Sequence, residues 1–131
     1  ITERFNGVLT IRNLCVDLPN RKNRNFNYGK TEYFPDMKSI CEILNHSIAR
    51  TDFIIGHTIH NDKRMLGYRV NFGNTRILDT FDVSGILAEK PRSLKKLCEK
   101  YKIPLIGHHC GGDDAYATYL LMVHMISLIS E

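Results

Sequence analysis

The chain has 131 residues and a net charge of +4, with 43% hydrophobic and 24% charged side chains. This composition is typical of a soluble, globular protein, and the length fits a single domain over residues 1–131 that can bury a core. No apolar run approaches the length of a membrane span and the amino end lacks the pattern of a signal peptide, so we expect no membrane partner.

The first third of the sequence predicts strands followed by a loop. Residues 2–16 alternate in polarity and are rich in β-branched and apolar side chains, which indicates one or two strands. Residues 19–34 contain Pro, Asn, Gly and charged side chains without periodicity, which indicates a loop. Four basic side chains lie there, which fits a nucleic-acid partner without demanding one. The basic loop consists of Arg21, Lys22, Arg24 and Lys30.

The rest of the chain alternates between helices and strands. Apolar side chains recur at helical spacing in the longer segments, and two short apolar runs between them indicate strands. In chain order we predict a helix over 35–50, a strand over 52–58, a helix over 61–70 that begins with a capping Asn or Asp, a strand over 75–81, a short helix over 82–89, a helix over 91–103 and a long helix over 113–129. This order predicts an α/β layer fold with at least partly parallel strand pairing.

The four cysteines favour an intracellular compartment, cytoplasmic or nuclear. They are far apart and lack the usual spacing of a zinc site, so we expect reduced thiols. One alternative remains, a zinc-stabilised structural module, because His108, His109 and Cys110 are consecutive and zinc binds both residue types.

Two aspartates stand where helices are predicted to begin after strands. Asp62 lies four residues after the run FIIGHT, and Asp114 opens the last helix. In α/β sheets, sites form where strands end and helices begin, and carboxylate pairs there can bind hard divalent cations. His109, five residues before Asp114, could take a proton from an attacking water. The alternative is that each aspartate only caps its helix.

Two motifs resemble those of a known enzyme family. The segment HCGGDDAYAT resembles the third motif of the DEDDh exonucleases, the DnaQ-like branch of the RNase H superfamily, through His109, Asp114, Ala115 and Thr118. The segment IIGHTIHNDKRML resembles the second motif, as written in the interferon-induced RNA exonuclease branch, through Asp62. Between them, RILDTFDVSGIL and SLKKLCEKYKIP resemble the family's connecting segment, while ITERFNGVLTIRN resembles a strand of a fungal branch that includes an mRNA-export-associated protein.

The resemblance implies an RNase H-like mixed sheet flanked by helices. It also implies a metal-dependent 3′–5′ exonuclease that hydrolyses single-stranded RNA or DNA with two Mg²⁺ or Mn²⁺ ions. In that enzyme Asp62 and Asp114 would bind the ions and His109 would be the general base. Contacts to the substrate are expected from His60, Asn61 and His108.

The first motif of the family, Asp-x-Glu, is absent. Thr2-Glu3 and Cys15-Val16-Asp17 each lack the required pair, and the chain starts with Ile1 rather than Met. We therefore expect a fragment that lacks the first strand of the fold and is poorly active by itself. The alternative is a catalytically inactive RNase H-like domain that binds nucleic acid or protein.

Overall fold

The computed structural model of the protein describes residues 1–16, 26–90, 92–105 and 110–130. Its first element is a hairpin in which β1 (Thr2–Phe5) pairs antiparallel with β2 (Val8–Ile11). The turn residues Asn6 and Gly7 both have positive φ, 50° and 78°, as the Asn-Gly turn of a tight hairpin requires. A third strand, β3 (Leu14–Val16), follows, so residues 2–16 form three strands instead of one or two.

Strand β3 pairs in parallel with β4 (Glu32–Phe34), which lies inside the segment predicted as a loop. The prediction of a loop over 19–34 is therefore wrong at its end. The cause is tertiary, because the Glu32 N–H donates to the Asn13 carbonyl at 2.8 Å and the Arg12 guanidinium binds the Glu32 carboxylate at 2.8 Å. Three residues are too few to show a periodicity of their own.

The middle of the chain forms a strand–helix–strand unit. Helix α1 (Met37–Ala49) begins at Asp36, whose carboxylate accepts the Ser39 N–H at 2.9 Å. After it, β5 (Phe53–Gly56) pairs in parallel with β6 (Arg76–Asp79). Between the two strands lie α2 (Ile59–Leu66) and a 3-10 turn, Gly67–Arg69.

Three helices complete the fold. They are α3 (Thr80–Ile86), α4 (Leu94–Tyr101) and α5 (Gly111–Ile129). Leu97 and Cys98 of α4 pack against α5 to form a buried cluster, so the apolar face predicted for α4 is confirmed. The α5 members of this cluster are Ala117, Leu121 and Met125. All four cysteines are free thiols.

The predicted class, a mixed α/β fold flanked by helices, is confirmed. Within the described ranges the six strands form three two-stranded sheets, one antiparallel and two parallel. Among the same residues no helix is long and apolar enough to cross a membrane.

Candidate active site

Asp79, at the end of β6, organises the region around the start of α2. It is buried, and its carboxylate accepts the backbone N–H groups of Thr58 at 2.9 Å, Ile59 at 2.8 Å and Phe81 at 2.9 Å. A negative charge at the amino ends of two helices is also favoured by their dipoles. Asp79 therefore fixes the position of α2 relative to β6 and caps α3.

Asp62 lies in the first turn of α2, near Asp79. The predicted capping of α2 by Asn61 or Asp62 is wrong, because the helix begins at Ile59 and Asp79 supplies the acceptor for its first N–H groups. The Asp62 residue is exposed, yet desolvation by surrounding protein atoms raises the pKa of its carboxyl, and the nearby charge of Asp79 raises it further. A bound cation would relieve this repulsion.

His57 is held beside the same strand ends. The Thr80 hydroxyl donates to the Gly56 carbonyl at 3.1 Å and lies 2.7 Å from His57 Nδ1, so we assign the proton of this second hydrogen bond to Nδ1. Burial lowers the pKa of the His57 imidazole. The ring also meets the Phe81 ring edge to face, with centroids 5.9 Å apart. These contacts give His57 a packed position beside Thr80 and Phe81.

The two residues before Asp62 have a different environment. His60 and Asn61 are exposed on the first turn of α2. The Asn61 backbone N–H donates to the Thr58 carbonyl at 3.0 Å. Both side chains are thus accessible to a ligand that reaches Asp62.

The start of α5 holds the second predicted carboxylate. Asp114 is partly buried, and its backbone carbonyl accepts the Thr118 hydroxyl at 2.7 Å. Burial raises the pKa of the Cys98 thiol to about 11, and the charge of Asp114 contributes to that shift. Asp114 therefore lies close to the side of α4 that carries Cys98.

Asp113 does not cap α5. The helix begins two residues earlier, at Gly111. The buried Asp113 carboxylate instead accepts the Asn27 backbone N–H at 3.3 Å and its side-chain amide at 2.8 Å. Asp113 thereby links Asn27, in the described part of the basic loop, to the start of α5.

Both predicted metal ligands lie in the first turn of a helix, Asp62 in the helix that follows β5 and Asp114 in α5. Helix α2 begins three residues after β5 ends, and Ala115, next to Asp114, lines the same groove as Ile55 of β5. Both side chains offer anionic oxygen, which suits Mg²⁺ or Mn²⁺ in donor type. Asp79 is less suited, since three N–H groups already occupy its oxygens. Within residues 1–16, 26–90, 92–105 and 110–130, no group of three or more His, Cys, Asp or Glu is placed to hold a metal ion.

Several predicted residues lie outside the described part of the chain. They are Arg21, Lys22, Arg24, His108 and His109. Lys30 is described and exposed. Burial raises the pKa of the Cys110 thiol, which disfavours the thiolate that zinc binding needs.

Sequence reasoning missed the role of Asp79. The available signal was its position, directly after the apolar run of β6 and before a helix, which is the same placement that drew attention to Asp62 and Asp114. Its three hydrogen bonds depend on the parallel pairing of β5 with β6, where Asp79 stands opposite Gly56.

Comparison with known families agrees with these elements. The RNase T family model, described as Exonuclease, matches residues 15–122. The chain belongs to this exonuclease family. The matched span runs from β3 into α5 and includes Asp62, Asp79 and Asp114. It supports the predicted relationship to the DEDDh exonucleases, while the fungal branch stays a prediction. No curated protein and no solved structure matches the chain.

Proposed function

We propose that this exonuclease domain removes nucleotides from the 3′ end of single-stranded RNA or DNA with two Mg²⁺ or Mn²⁺ ions. The observation that supports it best is the exonuclease family match, which spans two carboxylates that each stand in the first turn of a helix next to β5. In this proposal Asp62 and Asp114 bind the ions and their carboxylates approach each other at one edge of the sheet. Bound ions would supply charge for the phosphate and lower the pKa of water.

The surroundings of Asp62 fit a cation ligand. Asp79 is tied down by three hydrogen bonds, so it can hold its negative charge near Asp62 without moving. That charge makes a cation beside Asp62 favourable. His109 would accept a proton from the attacking water, which is the role of a general base.

Substrate contacts are assigned to exposed polar and basic residues. His60 and Asn61 would face the nucleotide next to Asp62, and His108 would do so from the segment before α5. The basic loop would bind phosphates, which predicts affinity that falls with salt. Its members in this proposal are Arg21, Lys22, Arg24 and Lys30.

A second candidate is an inactive domain that binds nucleic acid or protein. It is favoured by the absence, in the described ranges, of any metal-binding group of three or more acidic, His or Cys side chains. The absence of Asp-x-Glu from the sequence points the same way. Two carboxylates hold divalent ions less firmly than four would, so we expect the 131-residue chain to cleave slowly or not at all.

Digestion of 5′-labelled single strands of RNA and DNA in Mn²⁺ tests these two functions. For the exonuclease we expect slow shortening from the 3′ end that EDTA stops. Asp62→Asn and Asp114→Asn should slow this shortening further, because each deletes a charged ligand of the ions. Asp82→Asn, a change of an exposed aspartate in the first turn of α3, is the matched control and should leave cleavage unchanged.

His109→Ala separates the general base from the ligands. In a complete protein whose upstream strand carries Asp-x-Glu, it should lower the cleavage rate by roughly 10²–10⁴-fold without moving the Mn²⁺ concentration at half-maximal rate, whereas Asp114→Asn should move that concentration upward. A complete protein that binds the strand in a mobility-shift assay but never shortens it is the inactive binding domain. Absence of both binding and cleavage would contradict the exonuclease and an inactive nucleic-acid-binding domain alike.

A further inference from the structure

The segment between β5 and β6 carries a fully exposed aromatic ring. Tyr68, in the 3-10 turn that follows α2, is 99% exposed, whereas Ile86, the next most exposed large apolar side chain in the described ranges, is 73% exposed. Met65, near the end of α2, is 67% exposed. Single exposed apolar side chains are common on protein surfaces, so the surroundings of Tyr68 decide whether its exposure has a role.

The backbone that carries Tyr68 is anchored to α1. The Asn45 side-chain amide donates to the Arg69 carbonyl at 2.9 Å, and the Asn71 N–H donates to Asn45 Oδ1 at 2.7 Å. Val70, between those two residues, is buried. The ring therefore extends into solvent from a fixed turn, and a ligand that covers it has less conformational entropy to remove.

The charge around Tyr68 is positive. Residues 63–78, between Asp62 and Asp79, contain no Asp or Glu, although the chain has 14 of them. Within the part of the chain that the structure describes, the basic side chains of this segment form no ion pair with a carboxylate. A polyanion would therefore be attracted to this surface. The basic residues, all exposed, are Lys63, Arg64, Arg69 and Arg76.

Basic and apolar side chains are interleaved on this surface. Lys63 Nζ lies 5.2 Å from the centre of the Phe72 ring. The Arg69 guanidinium donates to the carbonyls of Leu66 and Met65, both at 3.3 Å, which places a cation at the end of α2. Positive charge combined with exposed aromatic rings is the pattern of surfaces that bind single-stranded nucleic acid, through phosphates and stacked bases.

The position of Tyr68 favours nucleic acid over a protein partner. Arg, Tyr and Met also occur in protein interfaces, so composition alone does not separate the two. Tyr68 lies six residues after Asp62 along the chain. At the helical rise this spacing is about 9 Å, which is about three nucleotides of a stacked strand. A strand that ends at Asp62 and runs along α2 would therefore reach the ring.

We propose that Tyr68 stacks on a base of the single strand about three nucleotides from its 3′ end, while Lys63 and Arg64 bind the neighbouring phosphates. This contact rests on the proposed function, which assigns the 3′ end to Asp62. The ring recognises the flat face that every base shares, so it serves RNA and DNA alike. It needs no metal ion.

Fluorescence anisotropy with 5′-fluorescein-labelled RNA and DNA strands of about eight nucleotides tests this contact, in EDTA so that no metal-dependent cleavage takes place. Tyr68→Ala should weaken binding by about five- to a hundredfold, the range for the loss of one stacked base. Tyr68→Phe keeps the ring and should bind like the unsubstituted chain. Ile86→Ala, at the next most exposed apolar side chain, is the matched control and should bind normally.

Salt dependence separates the ring from the cations. Arg64→Gln removes one phosphate contact, so the slope of the logarithm of the binding constant against the logarithm of salt concentration should become shallower by about 0.7. Tyr68→Ala should leave this slope unchanged, because a stacked ring displaces no counterion. A slope that changes as much in Tyr68→Ala would mean that phosphate contacts were lost, contrary to the proposal.

Strands with one abasic nucleotide identify the base that Tyr68 contacts. At one internal position, the missing base should weaken binding to the unsubstituted chain but not to Tyr68→Ala, because the stacking pair is already broken there. Such coupling in only one of the two strands would support the contact and identify that nucleic acid as the ligand. Coupling at no position in either strand would overturn it.

The remaining outcomes distinguish this contact from the exonuclease itself. Strand binding that Tyr68→Ala leaves unchanged overturns the contact alone. Binding that depends on Tyr68, in a complete protein that does not cleave, supports the contact and counts against the exonuclease. Failure of both strands to bind overturns the contact, and cleavage by the complete protein then decides the exonuclease separately. A dimer in light scattering that Tyr68→Ala dissociates would identify a second copy as the occupant, contrary to our assignment.

Discussion

Asp79 holds together the beginnings of two helices through a single carboxylate. One oxygen accepts the N–H groups of Thr58 and Phe81, and the other accepts that of Ile59. Thr58 has a φ of 52°, a left-handed conformation that is costly for a β-branched residue. The three hydrogen bonds stabilise this strained turn. The position of Asp62, one turn further along α2, consequently depends on Asp79.

Replacement of Asp79 should destabilise the fold strongly. Asp79→Ala removes the acceptor of three N–H groups, and we expect the free energy of unfolding to fall by about 2–4 kcal/mol. Asp79→Asn keeps one acceptor oxygen, so its free energy of unfolding should fall by less. Urea denaturation followed by circular dichroism measures both. Asp82→Ala, at an exposed position on α3, should cost less than about 1 kcal/mol. Equal losses at the two positions would refute this role of Asp79.

Helix α5 begins at a close contact with the amino-terminal part of the chain. A Cβ on Gly112 would lie 2.8 Å from the Phe26 ring and 2.9 Å from the Asn13 Cβ. The Gly112 N–H donates to Asn13 Oδ1 at 3.1 Å, which holds this approach in place. A Cβ on Gly111 would meet its nearest atom, Asn13 Oδ1, only at 4.0 Å. A side chain at Gly112 would therefore clash with its neighbours, whereas a Cβ at Gly111 would fit without a close contact.

The pair offers a matched test of this packing. Gly112→Ala should lower the free energy of unfolding by about 1–3 kcal/mol, because ring and backbone must shift to admit the methyl group. Gly111→Ala should be neutral or stabilise by up to about 1 kcal/mol, because alanine favours the helix. Thermal denaturation of both variants under the same conditions gives the comparison. A loss at Gly111 as large as that at Gly112 would show that the contact with Asn13 and Phe26 is not the cause.

Elements with a strong local pattern were predictable, and elements that depend on distant partners were not. Helix α4 followed from its apolar spacing, and in the structure Ser93 caps it by accepting the Lys96 N–H at 3.2 Å. Strand β4 was missed because its pairing with β3 spans a long loop, and no short-range signal marks it. The start of α5 was placed two residues late because its first turn consists of Gly111 and Gly112, which are poor helix formers.

At the scale of the whole molecule, the sequence located two carboxylates but not their surroundings. Asp62 and Asp114 could be singled out because both follow a recognisable strand or loop and open a helix. The closeness of Asp79 to Asp62 could not be predicted from the sequence, since it follows from the register in which β6 lies beside β5. The division into three small sheets could not be predicted from the sequence either, because strand order is a property of tertiary contacts.

The closeness of Asp79 to Asp62 predicts that Asp62→Asn has opposite effects on the melting temperature in the absence and in the presence of metal. In EDTA, Asp62→Asn should raise the melting temperature slightly, because a neutral amide is not repelled by Asp79. With Mn²⁺ at about a hundred times its dissociation constant, the unsubstituted chain should gain about 2.7 kcal/mol from binding. The Asp62→Asn variant should gain clearly less stability from Mn²⁺. Its melting temperature should therefore lie above that of the unsubstituted chain in EDTA and below it in Mn²⁺. Asp82→Asn should follow the unsubstituted chain in both conditions. An equal gain from Mn²⁺ in the Asp62→Asn variant would mean that Asp62 does not bind the ion, and the proposed metal site would then have to be abandoned.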